Sequence, residues 1–195
     1  MACLGPQTGG ECLGPQTGGK GSRGRARATF IGIARPDPVV TSRRRFAALT
    51  VATGLLALAH AIFTWPLAAT VALFGGGMVV AFVAEAVVIN GDWLEHHIGP
   101  KLLGVPLYLL LGWTGTVYIA YRVALHWSGG WTAVIVAAVL ATGYDVLADH
   151  RGVAEGFWSY TDDVRGPRFR GVPWWNFLGW VLVTFVTAAL ARPFL

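Results

Sequence analysis

Five apolar runs of membrane-crossing length constrain this chain more than anything else in it. They cover about residues 46–65, 67–89, 102–121, 131–148 and 173–195, each near the ~20 residues an α-helix needs to cross a bilayer core. Short polar segments separate them. With 54% hydrophobic and 13% charged residues, the chain falls outside the soluble class, and the expected fold is an all-α polytopic membrane helix bundle.

Residues 1–41 read differently. They are rich in Gly, Pro, Thr and Arg, and CLGPQTGG occurs twice, from Cys3 and from Cys12. Too little apolar surface is available there to offset the ordering entropy, so a disordered basic tail is expected, with the transmembrane domain at 42–195. Both cysteines fall in that tail and cannot staple the core.

The formal net charge of +5 does not point to nucleic acid, because eight of the fifteen Lys and Arg lie between Lys20 and Arg45, ahead of the first apolar run. Basic residues in that place are a topology signal. SRRRF, from Ser42, followed by small residues at Ala59 and Ala61, resembles a twin-arginine export signal. A second span begins directly after Trp65-Pro66, which suits a helix hairpin better than a cleavage site. Counting Lys and Arg by segment gives thirteen on the N-terminal side of the membrane and only Arg122 and Arg192 on the other. The expectation is a multi-pass protein of the cell membrane with a cytoplasmic N-terminus.

This topology assigns a depth to each polar residue within a span. Glu85, Asp145 and Asp149 fall about one turn from the cytoplasmic face, and Tyr108, Trp174, Trp175 and Asn176 reach the same level. Asp145 and Asp149 are four apart and share a helix face. Carboxylates in a span face a protein interior or a water-filled cavity rather than lipid, although both Asp residues could instead mark a helix end and reach water. Two neighbouring carboxyl groups suit proton chemistry, since one can carry a proton while its partner stays ionised.

A metal reading has less support. His96 and His97 are adjacent and would diverge by about 100° on a helix; a divalent cation on Asp145, Asp149 and Glu85 stays open as an alternative. Among nine tryptophans, Trp65, Trp127 and Trp131 fit an interfacial belt. Trp158, Tyr160, Trp174, Trp175 and Trp180 lie near the carboxylate layer, where aromatic faces could line a slot for a long apolar molecule or stabilise a cation.

The order Asp145, three residues, Asp149, then Gly156-Phe157-Trp158, then Phe169-Arg170-Gly171-Val172-Pro173, then Asn176 and Gly179-Trp180 carries a resemblance. It resembles the signature of the carotenoid biosynthesis membrane proteins, a family that includes bisanhydrobacterioruberin hydratase and related acyclic carotenoid 1,2-hydratases. The likeness extends more loosely through Glu85 and Gly104 to Trp113. His150 stands where the pattern commonly has Pro, and Trp158-Ser159-Tyr160 stands for Trp-x-Trp.

The resemblance implies hydration of the terminal double bond of an acyclic C40 or C50 carotenoid by acid catalysis, a lyase-class reaction needing no cofactor. Asp145 would then be the acid, Asp149 would position water and Glu85 would modulate them. Asn176 would donate to the new hydroxyl, with Trp158, Tyr160, Trp175, Trp180 and Tyr108 around the substrate. Implied partners are the lipid bilayer, the carotenoid and other membrane enzymes of the pathway. A non-catalytic carotenoid-binding or scaffold protein is the competing expectation.

Overall fold

The computed structural model describes residues 38–195. The N-terminal repeat and both cysteines lie outside the described residues. Helix α1 (Pro38–Thr64) is followed, after Trp65-Pro66, by α2 (Leu67–Val71), a π-helical turn (Ala72–Gly76) and α3 (Gly77–Asn90), which together form one long helical unit. Helices α4 (Leu107–Trp127), α5 (Gly130–Ala154) and α6 (Trp174–Ala191) complete a five-member bundle. Ser42 and the basic residues Arg43–Arg45 are helical, inside α1.

Four of the five are by themselves long and apolar enough to cross a membrane; α4 is the exception. It packs against α1, α3, α5 and α6, and Thr114, Tyr118 and Tyr121 on it are buried. Protein rather than lipid surrounds its polar atoms, so it can carry them.

Close approach is made possible by small residues. A Cβ on Gly54 of α1 would stand 2.4 Å from the Leu111 carbonyl oxygen of α4, and one on Gly77 would stand 2.6 Å from Thr187 Cγ2 of α6. Trp65, expected in an interfacial belt, is instead in the core against Tyr118 and Tyr121. Trp127 and Trp131 are exposed.

Three boundaries differ from the sequence expectation: α1 already includes Pro38, within the expected tail, the third helix begins later and the fourth ends later. The third span begins at Leu107 rather than 102, because Lys101–Leu102 (β2) and Val105–Pro106 (β3) form a hairpin and Pro106 is the helix N-cap. The fifth is preceded by a like hairpin, Arg168–Phe169 (β5) with Val172–Pro173 (β6). A Gly-Val-Pro sequence supplies both a left-handed turn residue and a proline that starts a helix. The fourth helix continues to Ala154, beyond 148, which places Asp145 and Asp149 within its body.

The two hairpins belong to a larger internal repeat. Gly104-Val105-Pro106 and Leu111-Gly112-Trp113 recur as Gly171-Val172-Pro173 and Leu178-Gly179-Trp180. Leu107 N–H donates to Pro100 O at 3.0 Å, and Trp174 N–H to Pro167 O at 3.1 Å. At the ends of α3 and α5 the same bonds also recur. Asp92 N–H donates to Ile89 O as Gly156 N–H does to Val153 O, both at 3.1 Å. Trp93 N–H donates to Val88 O (2.9 Å) as Phe157 N–H does to Gly152 O (2.8 Å). Strand β1 (Leu94–His96) then pairs antiparallel with its own counterpart, β4 (Trp158–Tyr160), with Glu95 opposite Ser159 at the centre. Thus α3–β1–hairpin–α4 and α5–β4–hairpin–α6 are two copies of one unit about a pseudo-twofold axis. Both units turn at the same end of the bundle, the hairpin end, where α1 also begins.

Candidate functional site

The pseudo-twofold axis brings the predicted carboxylates together in equivalent pairs. In the second copy, Tyr160 Oη donates to Asp149 Oδ2 at 2.8 Å. In the first, the residues at the matching positions, His96 and Glu85, meet Nε2 to Oε2 at 3.3 Å. Each pair joins a helical carboxylate to a strand residue eleven positions later. Glu85 is 2% exposed, His96 4% and Asp149 6%.

The copies differ where chemistry is concerned. Asp145, also 6% exposed, lies one turn before Asp149, whereas the first copy has Ala81 there. Asn176 Nδ2 donates to Asp145 Oδ2 at 2.9 Å and to Asp149 Oδ2 at 3.4 Å; the corresponding residue of α4 is Leu109. Neither Asp marks an exposed helix end: each carboxylate oxygen just named is held by a donor inside the protein, as a buried charge requires. Tyr160 sits in the strand outside the spans. Burial and the negative charge of Asp149, with smaller effects from Asp145 and Glu85, push its phenol well above the ordinary tyrosine range. It is therefore a donor and not an anion.

Two cavities flank the axis, and they too are equivalent. The larger, about 560 Å³, is lined by Asp145, Asp149, Asn176, His96, Trp158 and Phe157, with Phe46 and Thr50 of α1 and the α4 face as further walls. Exposed Tyr144 and Leu147 of α5 form its rim. The smaller, about 250 Å³, has Glu85, Val88, Trp93 and Leu94 in the matching places. Trp113 and Trp180 line both, their rings 4.6 Å apart and tilted by 38°.

Of the aromatics predicted to surround a substrate, Trp158 and Trp180 line the carboxylate cavity. Trp175 lines the smaller one, between Trp93 (5.6 Å) and Tyr160 (5.5 Å). Tyr108 lines neither; it is buried edge-on to Phe46, its hydroxyl without a partner among the described residues. Trp174 is largely exposed. Among the described residues, no three His, Cys, Asp or Glu side chains form a metal-ligating group.

The residue that sequence reasoning missed is His96. The two adjacent histidines are expected to diverge on a helix, but His96 ends strand β1 and His97 follows it directly, so the two point to opposite faces. His96 goes inward to Glu85, and His97 outward to Ser159 Oγ at 3.1 Å. A usable signal was present in the repeat, which aligns His96 with Tyr160.

Comparison with known proteins identifies the family. The carotenoid biosynthesis protein family matches residues 46–195, the whole of the repeat together with most of α1. The chain belongs to that family. Within it, bisanhydrobacterioruberin hydratase of Haloarcula japonica is 36% identical over 99 residues. The match covers 48% of this chain and 32% of the relative, so this carotenoid biosynthesis protein is aligned with about a third of the hydratase. No solved structure matches the chain.

Proposed function

We propose that this chain adds water to the terminal trisubstituted double bond of an acyclic C40 or C50 carotenoid, in line with the name of its Haloarcula relative, bisanhydrobacterioruberin hydratase. The observation that carries the reading is a buried carboxylate pair at the wall of an aromatic-lined cavity. A proton from the Asp145 carboxyl goes to the less substituted alkene carbon, leaving a tertiary cation. The faces of Trp158 and Trp180 stabilise that cation. Asp149, oriented by Tyr160 and Asn176, holds the water that captures it, giving a tertiary alcohol. No redox change occurs.

The hairpin end would face the cytoplasm. Arg43–Arg45, Lys101, Arg151, Arg165, Arg168 and Arg170 all gather there, against Arg122 and Arg192 at the other end, and positive charge favours the inner face.

The test is mass-resolved pigment analysis of cells accumulating acyclic carotenoids, with and without the chain. Hydration adds the mass of one or two waters. Asp145→Asn and Asp149→Asn should each lower product by about 100-fold or more while pigment still binds. Full product from both variants would sink the catalytic assignment and leave a carotenoid-binding role.

A further inference from the structure

We propose that His96, oriented by Glu85, is the base that takes the proton from the attacking water; this rests on the hydratase reading above. The first observation is geometric. His96 lines the cavity holding Asp145 and Asp149, yet its Nε2 is engaged by Glu85, which lines the other cavity. A carboxylate at Nε2 fixes the tautomer with its proton there, leaving the Nδ1 lone pair free to accept. That Nδ1 is buried and has no partner among the described residues, an arrangement that buried polar atoms avoid unless a ligand or water completes them. Asp149, the group proposed to hold water, lines the same cavity as His96.

The second observation is the pseudo-symmetry. His96 and Tyr160 are the same position of the repeat, each bonded to the same helical carboxylate position. In one copy a neutral phenol donates its proton to the carboxylate; in the other an imidazole does so through Nε2 and keeps a second, basic nitrogen. A duplicated frame has thus acquired a donor side, with Asp145, Asp149, Tyr160 and Asn176, and an acceptor side, with Glu85 and His96. Addition of water needs both, since one proton enters the substrate at carbon and another leaves the bound oxygen.

The step balances without a co-reactant. The alkene π pair forms a C–H bond with the Asp145 proton, and a water lone pair forms the C–O bond to the cation. The extra proton on that oxygen passes to His96 Nδ1, with Glu85 compensating the imidazolium charge. Transfer from His96 back to Asp145, by way of Asp149, restores the starting state.

Steady-state hydration of lycopene, an acyclic C40 probe, by the full chain in membranes tests this. His96→Gln keeps an amide near Glu85 but removes the base. We expect kcat to fall by about 100-fold, the lower range for a general base, with KM and pigment binding unchanged. Glu85→Gln should fall less, and the double variant should be no worse than His96→Gln alone, because the pair acts as a unit. If His96→Gln does not accumulate, His96→Asn carries the same expectation with a smaller side chain. An unchanged kcat, or a loss confined to KM, overturns the role of His96. A wild-type chain that hydrates no acyclic carotenoid overturns the hydratase reading itself.

Discussion

The two copies of the repeat have the same backbone and different contents. Turn for turn, Asp92 (φ 59°) matches Gly156 (φ 67°), Leu103 (49°) matches Arg170 (51°) and Gly104 (82°) matches Gly171 (89°). The side chains diverge at the axis: Glu85, His96, Ala81 and Leu109 against Asp149, Tyr160, Asp145 and Asn176. The frame therefore fixes where polar groups can meet, and a few substitutions decide what they do. A small core of this kind needs no irregular loops to bring distant residues together, because antiparallel pairing of β1 with β4 delivers both strand residues to the helical carboxylates.

The sharpest test of equivalence lies beside the larger cavity. In the second copy, Gly152 lets the Trp158 ring lie against α5, and a Cβ there would stand 2.1 Å from Trp158 Cζ2. In the first copy the matching residues are Val88 and Leu94. Large beside small has been exchanged for medium beside medium. Gly152→Val should force Trp158 out of the cavity, cost about 3 kcal/mol of stability and abolish most activity. Adding Trp158→Leu, which recreates the first copy's pair, should recover most of the stability but not the activity. Thermal unfolding in detergent reads the first quantity and pigment turnover the second; simple additivity of the two losses would break the proposed equivalence.

Such pairing also explains what could be read from the amino-acid sequence. The five spans were legible because lipid demands about 20 apolar residues whatever the fold, and the i, i+4 spacing of Asp145 and Asp149 was legible because helices are regular. Helix ends were not: DHRGVA looks like a polar loop, yet α5 continues through it because protein, not lipid, surrounds its Asp149 side. The hairpins are not legible because their strands are two residues long, too short to show an alternating pattern. The repeat escaped because few positions are identical, and because a length difference between the strand and the hairpin shifts its register. With the repeat unseen, His96 had no reason to be placed opposite Trp158 or beside Glu85.

A smaller effect separates the strand residues themselves. Tyr160→Phe removes the donor to Asp149 and should cost about 1.5 kcal/mol, as for a hydrogen bond to a charged partner, with turnover reduced about tenfold. Its pH dependence gives a further reading. The folded protein holds the Tyr160 phenol well above the ordinary value of 10.0, so the unfolded chain releases this proton first. The stabilisation is complete below that value and is lost as pH rises through the folded one. Between about pH 9 and about pH 11 the melting temperature of Tyr160→Phe should fall less steeply than that of the wild type. Equal slopes would mean that Tyr160 ionises as freely in the fold as outside it.

The smallest expected change concerns the turns that the copies share. Leu103 and Arg170 both adopt left-handed backbone before a glycine, the two-residue turn geometry that strongly favours Asn-Gly. Leu103 is 69% exposed and contributes little burial in return, whereas Arg170 meets His150 Nε2 at 3.2 Å and its guanidinium lies over the Phe169 ring. Leu103→Asn should therefore stabilise the protein by up to about 1 kcal/mol, relieving the cost of a left-handed leucine. The matching Arg170→Asn should gain less or lose, since it also removes those two contacts. Equal shifts in melting temperature from the two variants would show that the turns are interchangeable in energy as well as in shape.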